Sequence, residues 1–202
     1  MPPKAKFSRE DIIGAALKLV RERGMDALTA RSLAEELGSS AQPIFTVFKN
    51  MDEVQEEVKK AALQVFNEYA REAAEYTPAF KQIGILMVRF ASKEPKLFQL
   101  LYMWERKESE GFFEHIERLG GMADASIAIL QKEYGLTKEE ALALFQQVWI
   151  FTFGISVLCA TKTCAFSEEE IEELLGREFI SMLMYIKSGK LMEKTPHPQK
   201  KG

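Results

Sequence analysis

From Ile44 to Thr77 the chain runs without a single glycine or proline. A stretch of that length far exceeds an ordinary strand, and its apolar residues recur at spacings of three and four. It predicts one long helix from about Asn50 to Tyr76. The same rhythm continues along the chain, and no segment alternates with period two for long. Seven prolines and twelve glycines in 202 residues are too few for a loop-rich β fold. Apolar residues at 47% and charged residues at 28% leave ample material for a core. The expected fold is all-α, with about nine helices.

Start and stop signals divide the helices. Ser8 caps the first, Asp11 sits at its third position, and Phe7 is placed to staple onto Ile12. Ile13, Ala16, Leu17, Leu19 and Val20 continue one apolar face until Gly24 ends it. Thr29 caps a short second helix holding Leu33, Ala34 and Leu37, with Gly38 as its stop. Ser40 is read as the cap of a third short helix, Ala41 to about Lys49, with Pro43 in its first turn. Pro78, Pro95, Gly111, Gly135 and the stretch near Thr163 then punctuate helices at roughly 79–92, 95–104, 110–134, 137–161 and 167–187. Residues 190–202 are expected to be a flexible tail.

Composition excludes several kinds of chemistry. Two cysteines, Cys159 and Cys164, cannot make a disulfide framework or a four-cysteine zinc site, and His115 and His197 are the only histidines. No Gly-rich phosphate loop, nucleophile elbow or paired His/carboxylate helix motif is present, so neither an enzyme nor a cofactor is expected. No apolar run precedes Phe7, which points to a cytoplasmic chain. Net charge is −3. Residues 1–50 hold eight Lys and Arg against six Asp and Glu, while the remainder holds 19 against 24. The N-terminal surplus favours an anionic partner there.

The two short helices meeting at Gly38-Ser39-Ser40 have the proportions of a helix-turn-helix. Its second helix would present its first turns to base edges in a major groove. Ala41 and Gln42 sit at that position, with Thr46 one turn on, and a glutamine amide can pair bidentately with adenine. Helix N-termini at Thr29 and Ser40, together with Lys6, Arg31 and Lys49, would hold phosphates. A helical hairpin packed in a core has the same spacing.

Three segments carry a resemblance. "SREDIIGAALKLVRERG", "LTARSLAEELG" and "SSAQPIFTVFKNMDEV" together resemble the N-terminal domain of the TetR/AcrR family of bacterial transcriptional regulators. The resemblance implies a three-helix DNA-binding domain at 1–50, followed by a larger ligand-binding and dimerisation domain at 51–189. It implies repression as the output, by a homodimer on palindromic double-stranded operator DNA released by a small apolar or aromatic effector. It adds Ala30, Pro43 and Phe45 to the DNA-binding set of Lys6, Thr29, Arg31, Ser40, Ala41, Gln42, Thr46 and Lys49. The family commonly has Tyr at Phe45, His at Val47 and Lys at Met51, each a donor or charge that grips phosphate. The alternative reading is a small-molecule-binding or interaction module of the same fold with weak or lost DNA binding.

Ala141 to Ala160 contain no charge, long enough to span a membrane. Gln146, Gln147, Thr152 and Ser156 argue for burial instead, as do the acidic flanks. The run is read as one of two helices, 137–161 and 167–187, that pair with their copies in a homodimer, with no membrane involved. Phe90, Phe98, Tyr102, Met103, Trp104, Phe112, Phe113, Gln146, Trp149 and Phe153 are the candidate lining of an effector pocket. On one continuous helix Cys159 and Cys164 would point about 140° apart, so a disulfide needs the helix to end between them. Otherwise they are inert thiols.

Overall fold

The computed structural model describes residues 6–73, 79–103, 111–112, 114–115 and 122–189. Among these are eight α-helices and no strand. They are α1 (Arg9–Arg23), α2 (Ala30–Glu36), α3 (Met51–Ala73), α4 (Ala79–Lys93), α5 (Pro95–Tyr102), α6 (Met122–Tyr134), α7 (Lys138–Ala160) and α8 (Glu168–Lys187). Two single-turn 3-10 helices, Met25–Ala27 and Ile44–Thr46, complete the N-terminal part. Trp104, Phe113 and the tail at 190–202 lie outside the described residues.

Local chemistry fixes most helix starts. Ser8, Thr137 and Ser167 each accept a hydrogen bond from the backbone N–H three residues on, while the acidic side chain there reaches back to the cap N–H. Thr29 does the same with Ser32. Such reciprocal caps satisfy two of the four N–H groups that a helix start leaves without a partner.

The third short element differs from the expected helix at 41–49. It is a single 3-10 turn at Ile44–Thr46, preceded by Pro43, with no side-chain cap. Ser40 therefore caps no helix. A residue before proline is pushed out of the α region, so Gln42 cannot lead into a helix that runs through Pro43. Downstream, Asn50 caps α3 by accepting from the Glu53 N–H at 2.9 Å, and Glu53 accepts from the Lys49 N–H at 2.8 Å. Between the proline and that cap there is room for one turn.

One buried cluster runs through most of the chain. Ile12, Ala16, Leu19 and Val20 of α1 pack with Leu33, Ile44, Phe48, Val54 and Val58, and the cluster continues through Phe66 to Phe90, Phe98, Ile155 and Leu175. A second cluster joins α6, α7 and α8 around Leu130, Leu144, Val148 and Ile186. α7 is long and apolar enough to cross a membrane by length and composition. It lies against α4, α6 and α8. Its buried Thr152 and Ser156 hydroxyls donate to the carbonyls of Val148 and Thr152 at 2.7 and 2.9 Å. Those bonds are internal to the helix, so the two hydroxyls do not by themselves argue against lipid.

Two helices end in the same motif with different residues at its critical position. After α2 the Gly38 N–H bonds the Glu35 carbonyl and the Ser39 N–H the Ala34 carbonyl, with Gly38 at φ 59°. After α7 the Lys162 N–H bonds the Cys159 carbonyl and the Thr163 N–H the Leu158 carbonyl, with Lys162 at φ 58°. Both are Schellman ends, whose left-handed residue is normally glycine because a Cβ is strained there. Replacing Lys162→Gly removes that strain but adds freedom to the unfolded chain. The expected net gain is about 0.5–1 kcal/mol, or a Tm rise of about 2 °C. Thermal unfolding followed by circular dichroism checks it, and an unchanged or lower Tm would remove the strain argument.

Candidate nucleic-acid interface

The helix-turn-helix surface is built from α2, the Gly38 turn and the Ile44–Thr46 turn. Its anchors are apolar: Ile44 and Phe48 are fully buried, and Ala41 and Val47 pack partly against the same cluster. With those positions turned inward, Gln42, Phe45 and Thr46 face outward, and Phe45 is 46% exposed. The Thr46 hydroxyl donates to the Pro43 carbonyl at 2.6 Å, which leaves its oxygen free to accept.

Arg9 secures the anchor from outside. Its guanidinium lies 4.3 Å from the Phe48 ring centroid and pairs with Glu53 at 3.0 Å and Glu57 at 3.5 Å. A cation on an aromatic face, held by two carboxylates, fixes α1 and α3 on either side of the turn. Its hydrogen bond to Glu53 holds the Arg9 guanidinium above its ordinary pKa. In return Glu53 is held below the usual carboxylate range, chiefly by the Lys49 N–H and then by Arg9. Sequence reading missed both Arg9 and the Asn50 cap. The cap was legible in Asn50-x-x-Glu53, whereas the Arg9 contact spans 44 positions to Glu53 and had no local signal.

The cationic candidates surround this surface in different states. Lys6 donates to the Ser39 hydroxyl at 3.1 Å and lies over the Phe7 ring, which brings it to the helix-turn-helix corner beside Ser40. Arg31 is 90% exposed and, among the described residues, pairs with Glu35, one turn along α2, at 3.1 Å. An exposed pair of this kind is easily exchanged for another anion. Thr29 accepts from the Ser32 N–H and lies 3.0 Å from the Ser32 hydroxyl, whose own proton goes to the Ala27 carbonyl at 2.6 Å, so the Thr29 hydroxyl is tied into the cap of α2 beside half-buried Ala30. Lys49 is exposed, with only its backbone N–H tied to Glu53. No group of three or more His, Cys, Asp or Glu able to hold a metal occurs among the described residues.

Residues 12–58 match the tetR family of bacterial regulatory proteins. Over this segment the chain is similar to that family. Two curated relatives, tetracycline repressor protein class D of Escherichia coli and class H of Photobacterium damsela subsp. piscicida, are each 34% identical over 70 residues. Those residues are 35% of this chain and 32% of either relative, so the chain matches about a third of their length. A solved structure of a protein with unknown function from Rhodococcus sp. RHA1 shares the fold at a TM-score of 0.63 and 18% identity. It covers 91% of this chain and 98% of its own. The tetR-family segment thus ends within α3, and the helices beyond it are alike in fold rather than in sequence.

The other candidate side chains lie in that second part. Phe90 and Phe98 are fully buried, and edge or tilted contacts link Phe66, Phe90, Phe98, Tyr102 and Phe153 at 5.0–6.5 Å between centroids. Trp149 stacks on Phe153 at 5.1 Å and meets Phe112 and His115 edge-on. The aromatics form one continuous ladder rather than separate pocket walls. Phe90 and Phe98 are its interior, while Tyr102, Met103, Phe112, Gln146, Trp149 and Phe153 keep some exposure. Burial pushes the Tyr102 phenol well above its ordinary pKa, so it stays protonated.

The electrostatics of α1, α2 and the start of α3 predict an acid response. Asp11, Glu36, Glu53 and Glu57 are all held below the usual carboxylate range, by Ser8, Lys18, the Lys49 N–H and Lys60 respectively. A carboxylate whose folded pKa is depressed contributes stability in full above its unfolded value, and loses it as pH falls through the folded one. Tm is therefore expected to drop as pH falls below about 4.3. Glu53→Gln should make that drop shallower in a pH series of thermal melts, and an identical slope would contradict the assignment.

Proposed function

We propose that the chain is a one-component transcriptional repressor, a cytoplasmic homodimer that binds palindromic operator DNA and leaves it on binding a small, largely apolar or aromatic effector. Residues 1–50 act as the DNA-reading head and 51–189 as the ligand-binding and dimerising body. The observation that carries the reading is the outward display of Gln42, Phe45 and Thr46 over the buried Ile44 and Phe48, ringed by Lys6, Arg31 and Lys49. Two relatives of the head are tetracycline repressors by name, which supports the direction of control.

In this reading Gln42 reads a base edge and Thr46 accepts from an exocyclic amine. Phe45 packs on a thymine methyl or a sugar. Arg31 releases Glu35 for a phosphate, Lys6 and Lys49 take neighbouring phosphates, and the helix N-terminus capped by Thr29 and the Ser40 hydroxyl meet others. Ala30, Ala41 and Pro43 give the backbone close approach.

Dimerisation is supported by an uncovered apolar face. Ile150 on α7 is 49% exposed, and Ile180, Met184 and Tyr185 on α8 are 57%, 68% and 41% exposed. These positions suit a four-helix contact between two copies, and twofold symmetry would set two heads at the spacing of successive major grooves. The effector would bind beside the exposed rungs of the aromatic ladder. A coupling of about 1–3 kcal/mol would change operator affinity roughly 5–150-fold.

Genomic fragments selected by the purified protein supply the operator, and salt-dependent titration on it tests the roles. Arg31→Ala is expected to weaken binding to all sequences alike and lower the salt slope by about one. Gln42→Ala should cost about 1–3 kcal/mol on the operator and relax specificity at one base pair. Equal affinity for operator and scrambled DNA in the unaltered protein would reject the reading.

The interface has its own test. The double variant Ile180→Glu, Met184→Glu places two charges on the apolar face and is expected to sediment as a monomer with unchanged helicity. If the unaltered chain already sediments as a monomer, the dimer is wrong.

A further inference from the structure

The helix carrying Cys159 ends at Ala160, which removes the geometric obstacle between the two cysteines. Past that point the chain turns back sharply. The Thr163 and Cys164 N–H groups both reach the Leu158 carbonyl, at 3.0 and 3.2 Å. Leu158 is bonded to Cys159, so that last hydrogen bond brings the two cysteine Cα atoms within about 7 Å, close to the span of a disulfide. We propose that Cys159 and Cys164 are a reversible thiol–disulfide pair closing the C-terminal turn of α7. This inference stands independently of DNA binding.

The two thiols differ in a way that gives them separate roles. Cys164 is exposed and meets the oxidant, whereas Cys159 is buried. Burial, and secondarily Cys164 itself, pushes the Cys159 thiol up, so it is poorly placed to react first. With a hydroperoxide as oxidant, the Cys164 thiolate attacks one peroxide oxygen and releases hydroxide, leaving a sulfenic acid. The Cys159 sulfur then attacks the Cys164 sulfur, the S–O bond breaks and hydroxide leaves. With the protons counted, two thiols and one hydrogen peroxide become one disulfide and two waters. A dithiol reductant reverses it by exchange.

The location gives the pair something to act on. The Ala160 carbonyl, between the two cysteines, accepts from the Gln99 side-chain amide at 2.7 Å, and Gln99 in turn accepts from Lys96 at 3.2 Å. The Lys96 stem lies against Gly24 at the end of α1. Tightening the α7 terminus therefore bears on the contact between α5 and the head.

The test uses the full chain, folded, with hydrogen peroxide in modest excess. Trypsin cuts after Lys162, between the cysteines, so the bridge appears as peptide 139–162 joined to 163–177. The expected result is that linked pair, two lost thiols per chain, and full recovery with dithiothreitol. Cys159→Ser should stop the reaction at a Cys164 sulfenic acid trapped by dimedone, and Cys164→Ser should give no internal link. Two unreacted thiols, or Cys164 joined only to Cys164 of another chain, would overturn the proposal. So would a Cys164 sulfinic acid with Cys159 still free.

Discussion

The burial of Ile44 and Phe48 beneath Arg9 is the contact on which the N-terminal surface depends. A single 3-10 turn has almost no stability of its own, since it closes few hydrogen bonds for the backbone it fixes. Its orientation comes from two apolar side chains with no remaining exposure and from a guanidinium laid on the Phe48 ring. Glu53 ties this arrangement together by accepting from Arg9 and from the Lys49 N–H at once. One carboxylate thus helps start α3 and helps hold the turn before it. Gln42, Phe45 and Thr46 are presented because their neighbours have nowhere else to go.

What the sequence made legible were features with local causes. Ser8, Thr29 and the Gly24 and Gly38 stops act within three or four residues, so their signatures lie side by side in the chain. The segment of the tetR-family head was legible for the same reason. The expected third helix at 41–49 exceeds the observed turn because Pro43 acts less through its missing N–H than through its effect on Gln42. The competing cap at Asn50 also limits it. Of the candidate site, Gln42 and Thr46 follow from helical spacing even though the element is shorter than expected, whereas Phe45 comes from the family resemblance. The partners of Lys6, Arg9 and Gln99 were invisible because they come from distant parts of the chain.

The aromatic residues show the opposite difficulty. Composition marks them as a group, but it cannot separate a side chain that lines a cavity from one that supports it. Phe90 and Phe98 are completely enclosed, while Trp149 and Phe153 stack where some surface remains. The distinction rests on which rung of the ladder each occupies. That position depends on how α4, α5 and α7 cross, and crossing is a tertiary property that no spacing encodes.

The buried cluster that begins at Ile12 and ends at Leu175 has a consequence for how force travels. A head joined to its body by a flexible hinge could reorient at little cost, and a signal from the far end would be lost in the slack. Here α1 is bolted to the α4–α5 corner through Arg21 and Glu94 at 2.8 Å, and α3 carries the same apolar seam from one end to the other. Bending between the two halves would open apolar surface to water, so the packing resists it. The same seam means that the first fifty residues, cut away from Val54, Val58 and Ala62, would expose the underside of Ile12, Leu33 and Phe48 and would not hold their shape alone.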